Sequence, residues 1–130
     1  MEETLLIIKP SAIAYTDLII KRIKDEEFRI IEMKQLNLTE KKASEFYSIH
    51  KGKPFYSELV DFMSSGQVVV LRLARQDAVS YLREVVGATN PRDAAPGTLR
   101  KEFGTGVCTN AVHASDSRTN AAREIAFFFK

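Results

Sequence analysis

A histidine stands in a run of small and polar residues, positions 110–117, that could place it at a reactive edge of a sheet. The pattern predicts a short strand over residues 111–113, followed by a helix. A histidine at the carboxyl end of a strand is held by the sheet and open to a cleft. The free N–H groups at the start of the next helix suit anions. His113 could therefore do chemistry on an anion, although the run alone fits a polar histidine without a chemical task equally well.

A carboxylate on the following helix could serve this histidine. At about 100° per residue, Glu124 lies roughly 60° from Ala121, at the edge of the apolar stripe of a helix predicted over residues 117–128. No Lys or Arg lies three or four positions away, so a helix-surface ion pair is excluded. Glu124 could hydrogen-bond one imidazole nitrogen and leave the other free as a nucleophile. The alternative is a solvated glutamate.

Two arginines flank a loop rich in Gly, Asn and Pro that is predicted over residues 87–97. Arg83 precedes this loop by one helical turn, and Arg100 follows it. Two guanidiniums and the hydroxyl of Thr89 match the geometry of phosphate oxygens. A surface loop with flanking charges is the alternative.

Five further side chains have types that could matter. Lys9 follows a buried strand and so lies at the predicted sheet edge of the histidine. Tyr47 lies in an apolar helix stripe, where its hydroxyl needs a partner. Phe55 either belongs to the core or presents a ring face to a base. His50 and Cys108 are expected to lie outside the chemistry. The sequence contains no glycine-rich phosphate loop and no metal-ligand cluster.

Length and composition indicate one soluble globular domain spanning residues 1–130. A content of 45% hydrophobic and 28% charged residues is ordinary for such domains. One cysteine permits no internal disulfide, and with two scattered histidines it makes no structural zinc site. The net charge is only +2, and the basic residues are interspersed with acidic ones along the helices. Both features argue against a specific nucleic-acid partner. No membrane span and no secretory signal are expected, so the predicted location is cytoplasmic.

The order of elements is β-α-β-(αα)-β-α-loop-β-α. It predicts an α+β, ferredoxin-like (split βαβ) fold, with a four-stranded, mainly antiparallel sheet flanked by helices. The predicted strands cover residues 4–8, 28–38, 67–74 and 111–113. The predicted helices cover residues 17–26, 40–50, 55–63, 76–86, 98–103 and 117–128.

Together these segments closely resemble the nucleoside diphosphate kinase family. The similarity runs in order along almost the whole chain, and the block around His113 is its most specific part. The matching segments are residues 4–10, 46–47, 53–56, 59–66, 87–91, 96–100 and 110–117, with Glu124.

The resemblance implies a role for each matching residue. His113 would be the phosphorylated nucleophile, oriented by Glu124 and Ser115. Phe55 and Val107 would sandwich the base. The residues expected to hold the phosphates are Lys9, Tyr47, Arg83, Thr89 and Arg100, and those expected to reach the ribose hydroxyls are Lys9 and Asn110. Lys9 is thereby counted with both the catalytic and the nucleotide-binding residues.

The resemblance also implies the reaction. It is transfer of the γ-phosphate of a nucleoside triphosphate, mainly ATP, to a nucleoside diphosphate, by a ping-pong mechanism through a phosphohistidine. Broad base and sugar specificity is expected, with Mg²⁺ bound through the nucleotide phosphates rather than by a protein cage. The expected assembly is a homo-oligomer, either a tetramer or a hexamer built from dimers.

The chain departs from the family pattern at a few positions. Ser11 and Ala12 stand where Asp-Gly is usual, the stretch 11–28 is about two residues short, Gln67 replaces a proline and Cys108 replaces a glycine. The altered loop leaves open a binding or assembly module that keeps the fold but has lost turnover. A regulatory ferredoxin-like domain that binds nucleotide or RNA is a third possibility.

Overall fold

The sheet has four strands in the order β2-β3-β1-β4 in the computed structural model, which describes residues 1–129. All three strand pairings are antiparallel. The predicted α+β, mainly antiparallel architecture is confirmed. The strands are β1 (Glu2–Ile8), β2 (Arg29–Asn37), β3 (Gln67–Arg75) and β4 (Val112–Ala114).

Helices cover both faces of this sheet. The α-helices are α1 (Thr16–Asp25), α2 (Glu40–Phe46), α3 (Tyr56–Met63), α4 (Ala78–Val86), α5 (Leu99–Phe103) and α6 (Arg118–Phe129). Short 3-10 helices span Pro10–Tyr15, Ser48–His50 and Pro91–Asp93. No helix within residues 1–129 is both long enough and apolar enough to cross a membrane.

Strand β1 lies between the two hydrophobic cores. Leu6 and Ile8 pack into the core that contains α1 and α4 side chains, whereas Leu5 and Ile7 pack into the core formed with α2, α3 and α6. Successive side chains of a strand point to opposite faces, so a strand covered on both faces is apolar at every position. This explains the unbroken apolar run at the start of the sequence.

The strand that carries the histidine is displaced by one residue from its predicted position. Ala111 has a φ of 77°, which no regular strand adopts, so β4 begins at Val112 and ends at Ala114. The N–H of Val112 donates to the carbonyl of Asn110 at 2.9 Å, which closes a tight γ-type turn around Ala111. His113 is therefore the middle residue of β4, and it pairs with Ile7 of β1.

Several other element boundaries differ from the prediction by up to four residues, most of all that of α2. The helix predicted to reach residue 50 ends at Phe46, and a 3-10 turn follows it. Side chains three residues apart eclipse in 3-10 geometry, and the rings of Tyr47 and His50 accordingly stack 6.3 Å apart. In β2 the register shifts between Ile30 and Glu32, and Met33 is left 55% exposed.

Candidate active site

A cleft of about 310 Å³ opens beside β4 and contains His113 in its lining. Ten of the eleven predicted site residues line it: Lys9, Tyr47, Phe55, Arg83, Thr89, Arg100, Val107, Asn110, His113 and Glu124. Ser115, the eleventh, is fully buried behind the cleft and contacts Glu124. The fold thus brings together residues that the sequence spreads over more than a hundred positions.

The side chain of Glu124 holds the histidine ring by one nitrogen. Its Oε1 lies 2.9 Å from Nε2 of His113 and accepts a second hydrogen bond, of 2.6 Å, from the hydroxyl of Ser115. An ionised carboxylate only accepts hydrogen bonds, so Nε2 carries the ring proton and Nδ1 is left with a free lone pair.

Glu124 is ionised although it is only 3% exposed. Burial alone raises the pKa of its carboxyl. The hydrogen bond and charge of His113 oppose burial most strongly, followed by the hydroxyl of Ser115 and the charge of Arg123. Together they place the pKa below its usual value.

Aromatic rings fix the plane of the imidazole. Phe46 and Tyr47 meet the ring edge-on, with centroids 5.3 and 5.9 Å from that of His113. The side chain of His113 nevertheless keeps 19% of its surface exposed. The ring is therefore held by its neighbours while part of it reaches the cleft.

Two guanidiniums bracket the histidine through the backbone of β4. Nη2 of Arg100 donates to the carbonyl of Val112 at 2.9 Å, and Nη1 of Arg83 donates to the carbonyl of Ala114 at 3.4 Å. Arg100 is buried, and burial, followed by the nearby charge of Arg83, lowers its pKa to about 10. Positive charge is thus concentrated on both sides of the imidazole.

Lys9 supplies a second buried cation, whereas Arg83 is exposed. Its Nζ donates to Oδ1 of Asn110 at 2.8 Å and to the carbonyl of Cys108 at 3.4 Å, and both of these acceptors are uncharged. Burial lowers the pKa of Lys9 to about 7, with a further contribution from the charge of Arg100. The amide of Asn110 also donates to the carbonyl of Thr89 at 2.9 Å, which ties the Lys9 end of the cleft to the loop.

Among the predicted site residues, two buried side-chain atoms have no hydrogen-bond partner within residues 1–129. They are the hydroxyl of Tyr47 and Nε of Arg100. Tyr47 is 4% exposed, and burial, aided by the negative charge of Glu124, raises the pKa of its hydroxyl. Buried polar atoms of this kind normally have a partner, which a bound oxygen-rich ligand could supply.

The other end of the cleft is apolar and open. Phe55 and Val107 line it with 36% and 51% of their surfaces exposed. His50, expected to lie outside the chemistry, lines the cleft with its ring 5.4 Å from Phe55. Cys108 lines it as well, which also differs from the prediction.

Three polar lining residues were not predicted. They are Asp116, Asn120 and Arg123. Arg123 and Asn120 share the helix of Glu124, one and four positions before it, and Asp116 follows Ser115. Proximity in sequence to the predicted residues was the available signal. His50 lies three residues after Tyr47, so its proximity in sequence to a predicted residue was a similar signal.

Comparison with known proteins identifies the family. The sequence model described as nucleoside diphosphate kinase matches residues 2–130. The chain belongs to the nucleoside diphosphate kinase family. The nucleoside diphosphate kinases of Syntrophotalea carbinolica and Chlamydia abortus are each 53% identical to it, over 99% of this chain and 96% and 93% of theirs. Members of this family are enzymes, kinases that act on nucleotides.

Solved structures of the family share the fold. The nucleoside diphosphate kinase of Aquifex aeolicus superposes with a TM-score of 0.96 at 43% identity, covering 99% of this chain and 95% of that one. The enzyme of Halobacterium salinarum, in complex with CDP, gives a TM-score of 0.94 at 34% identity, covering 99% and 88%. The ferredoxin-like fold predicted for this chain is therefore the fold of nucleoside diphosphate kinases.

Proposed function

We propose that this nucleoside diphosphate kinase moves the γ-phosphoryl group of a nucleoside triphosphate, mainly ATP, to a nucleoside diphosphate through a phosphohistidine at His113. The observation that carries the proposal is the 2.9 Å hydrogen bond between Nε2 of His113 and Glu124. It leaves Nδ1 unprotonated, on a ring that reaches a cleft rich in cations. A fixed nucleophile with an orienting carboxylate is the arrangement that covalent catalysis requires.

The second half-reaction is the chemical reverse of the first. In the first, Nδ1 attacks the γ-phosphorus, the bond from that phosphorus to the β,γ-bridging oxygen breaks, and the nucleoside diphosphate leaves. In the second, a terminal oxygen of an acceptor diphosphate attacks the same phosphorus, and the N–P bond breaks. The Nε2 proton stays on the ring, where Glu124 stabilises the charge that the imidazole gains.

The cations that line the cleft would hold the phosphates. Phosphoryl transfer asks the protein mainly for positioning and charge stabilisation. Lys9, Arg83 and Arg100 supply three positive charges around the histidine, and the hydroxyls of Tyr47 and Thr89 supply neutral donors. The unpartnered hydroxyl of Tyr47 supports this assignment because a phosphate oxygen would satisfy it.

The exposed end of the cleft would hold the nucleoside. Phe55 and Val107 offer apolar surface to the two faces of a base, and Lys9 with Asn110 would reach the ribose hydroxyls. Apolar contacts do not distinguish the hydrogen-bonding edges of different bases, which supports broad specificity. The CDP-bound Halobacterium salinarum relative supports a nucleoside diphosphate as ligand.

Magnesium fits this site as an ion bound through the nucleotide phosphates rather than by protein side chains. Within residues 1–129 no group of three or more His, Cys, Asp or Glu side chains could hold a metal ion. The cleft carboxylates are engaged, Glu124 by His113 and Asp116 by the amide of Asn120 at 2.6 Å. The lining cations suit phosphate oxygens, which are the ligands that Mg²⁺ prefers. When bound, Mg²⁺ would neutralise phosphate charge.

Incubation with ATP labelled at its γ-phosphate tests the proposal. The wild-type protein should take up label and pass it to an added nucleoside diphosphate such as dTDP, whereas His113→Ala should take up none. His50→Ala is the matched control, because it removes the chain's other histidine and should still be labelled. Label persisting in His113→Ala, or wild-type protein that stays unlabelled, would overturn the proposal.

Assembly and location complete the proposal. Membership of the family supports a cytoplasmic homo-oligomer, a tetramer or a hexamer built from dimers. Exposed apolar side chains support association, since Leu18 of α1 and Met33 of β2 are 57% and 55% exposed. Sedimentation equilibrium measures the assembly directly, and a monomer at micromolar concentration would contradict this part.

A further inference from the structure

Arg123 lies beside the catalytic pair but has no part in the proposed reaction. Its Nη2 is 3.5 Å from Oε2 of Glu124, and its Cζ is 5.8 Å from the centroid of the Phe46 ring. The side chain also lines the cleft. Its Nε is buried and has no hydrogen-bond partner within the described residues. The guanidinium is therefore positioned by the ring of Phe46 and by the carboxylate.

The two oxygens of Glu124 have different neighbours. Oε1 accepts from both His113 and Ser115, whereas Oε2 faces Arg123. A carboxylate shares its charge between its oxygens, so a cation at Oε2 weakens the pull that Oε1 exerts on the imidazole. The charge of Arg123 also acts directly against a second proton on the nearby ring. Both effects favour the neutral imidazole that attacks phosphorus.

We propose that Arg123 is a positioning residue that acts through Glu124, keeping the imidazole of His113 unprotonated and nucleophilic at lower pH than the Glu124 carboxylate alone would allow. The inference rests on the proposed function, since it concerns the same nucleophile. It assigns Arg123 no contact with the nucleotide. Loss of its charge should therefore alter the pH dependence of phosphorylation and leave the affinity for nucleotide unchanged.

Other charged or titratable groups also face this pair, from every surrounding element. All of them are kept in the variants below, so only the charge at position 123 changes. They are Lys9 beyond β1, Tyr47 and His50 after α2, Arg83 on α4, Arg100 on α5, Cys108 before β4, and Asp116 before α6.

The test is the pH profile of the first half-reaction, followed as single-turnover transfer from labelled ATP between pH 5 and 9. In Arg123→Gln the acid limb of kcat/KM should move upward by about half a pH unit, as expected for a partly exposed charge pair. The rate at the acid end should thus fall about threefold, and the rates should converge at alkaline pH. Arg123→Lys should keep the wild-type limb, and the Kd for ADP should be unchanged in both variants.

Arg118→Gln is the matched control. It removes the same charge from the same helix, but its guanidinium is 80% exposed and pairs with Glu2, away from the cleft. An acid limb that stays in place in Arg123→Gln would overturn the inference. A uniform loss over all pH values, or a weaker Kd for ADP, would also overturn it by showing a structural or direct binding role. Wild-type protein that takes up no label would instead refute the proposed function.

Discussion

Replacing Glu124 with glutamine isolates the charge of the carboxylate from its shape. Oε1 accepts two hydrogen bonds, one of 2.9 Å from His113 and one of 2.6 Å from Ser115, and an amide oxygen can accept both. A hydrogen bond to a charged group stabilises by about 1 kcal/mol more than a neutral one. The imidazole also gains positive charge as it attacks phosphorus, which the carboxylate stabilises further.

The expected loss for Glu124→Gln is about 2–3 kcal/mol of transition-state stabilisation. At roughly 1.4 kcal/mol per factor of ten, this slows histidine phosphorylation about 30- to 150-fold. Rapid-quench measurement of label transfer from ATP gives this rate directly. The Kd for ADP should stay within twofold, because Glu124 contacts His113 rather than the cations assigned to phosphate.

Glu26→Gln is the control for loss of a hydrogen-bonded carboxylate. Glu26 accepts from Tyr81 at 2.5 Å and from Arg22 at 2.9 Å, at the end of α1 and away from the cleft. Its variant should phosphorylate at the wild-type rate. If Glu124→Gln is destabilised, Ser115→Ala serves instead and should slow the reaction three- to tenfold. A folded Glu124→Gln protein with a rate within threefold of wild type would refute the reasoning.

Three further predictions address binding and stability. Because the pKa of Lys9 is about 7 in the free protein, its charged fraction falls from about one-half at pH 7 to about one-tenth at pH 8. Calorimetry should therefore show ADP binding weakened about fivefold over that interval, and Lys9→Gln should abolish that pH dependence. Tyr47→Phe removes a buried hydroxyl without a partner, so the stability of the ligand-free protein should be unchanged or rise by up to about 1 kcal/mol. The affinity for ADP should fall about fivefold. An unchanged affinity would show that the hydroxyl does not contact a phosphate. Leu71 is fully buried at the centre of β3. Leu71→Ala should therefore lower the free energy of unfolding, measured in urea, by about 3 kcal/mol. A loss below about 1 kcal/mol would contradict the burial of this side chain.

The sequence alone predicted the types of element well, because apolar periodicity depends on local pattern. The region between residues 87 and 97 was predicted as a loop from its Gly, Asn and Pro content, and most of it is one, apart from the turn Pro91–Asp93. The errors lie where tertiary contacts decide. Residue 111 was assigned to a strand, but its φ of 77° is imposed by the turn that joins Asn110 to β4.

The candidate site shows the same division between local and tertiary information. Its residue types follow from the resemblance to a family, but their environment does not. Helical spacing placed Glu124 at the flank of an apolar stripe, where a solvated carboxylate was the alternative. It is buried because Ser115 and His113, on another segment, satisfy its oxygen. The hydrogen bonds from Arg83 and Arg100 to the carbonyls on either side of the histidine likewise depend on the sheet.

Strand β4 is only three residues long, yet it is anchored to the most enclosed strand of the molecule. β1 pairs with it on one side and with β3 on the other. Backbone amides of β1 should therefore exchange with deuterium only through global opening, whereas amides around Phe55 and Val107 exchange through local fluctuations. The position of His113 is then fixed by the slowest-exchanging backbone of the protein. The exposed end of the cleft, proposed to hold the base, can adjust without displacing the histidine.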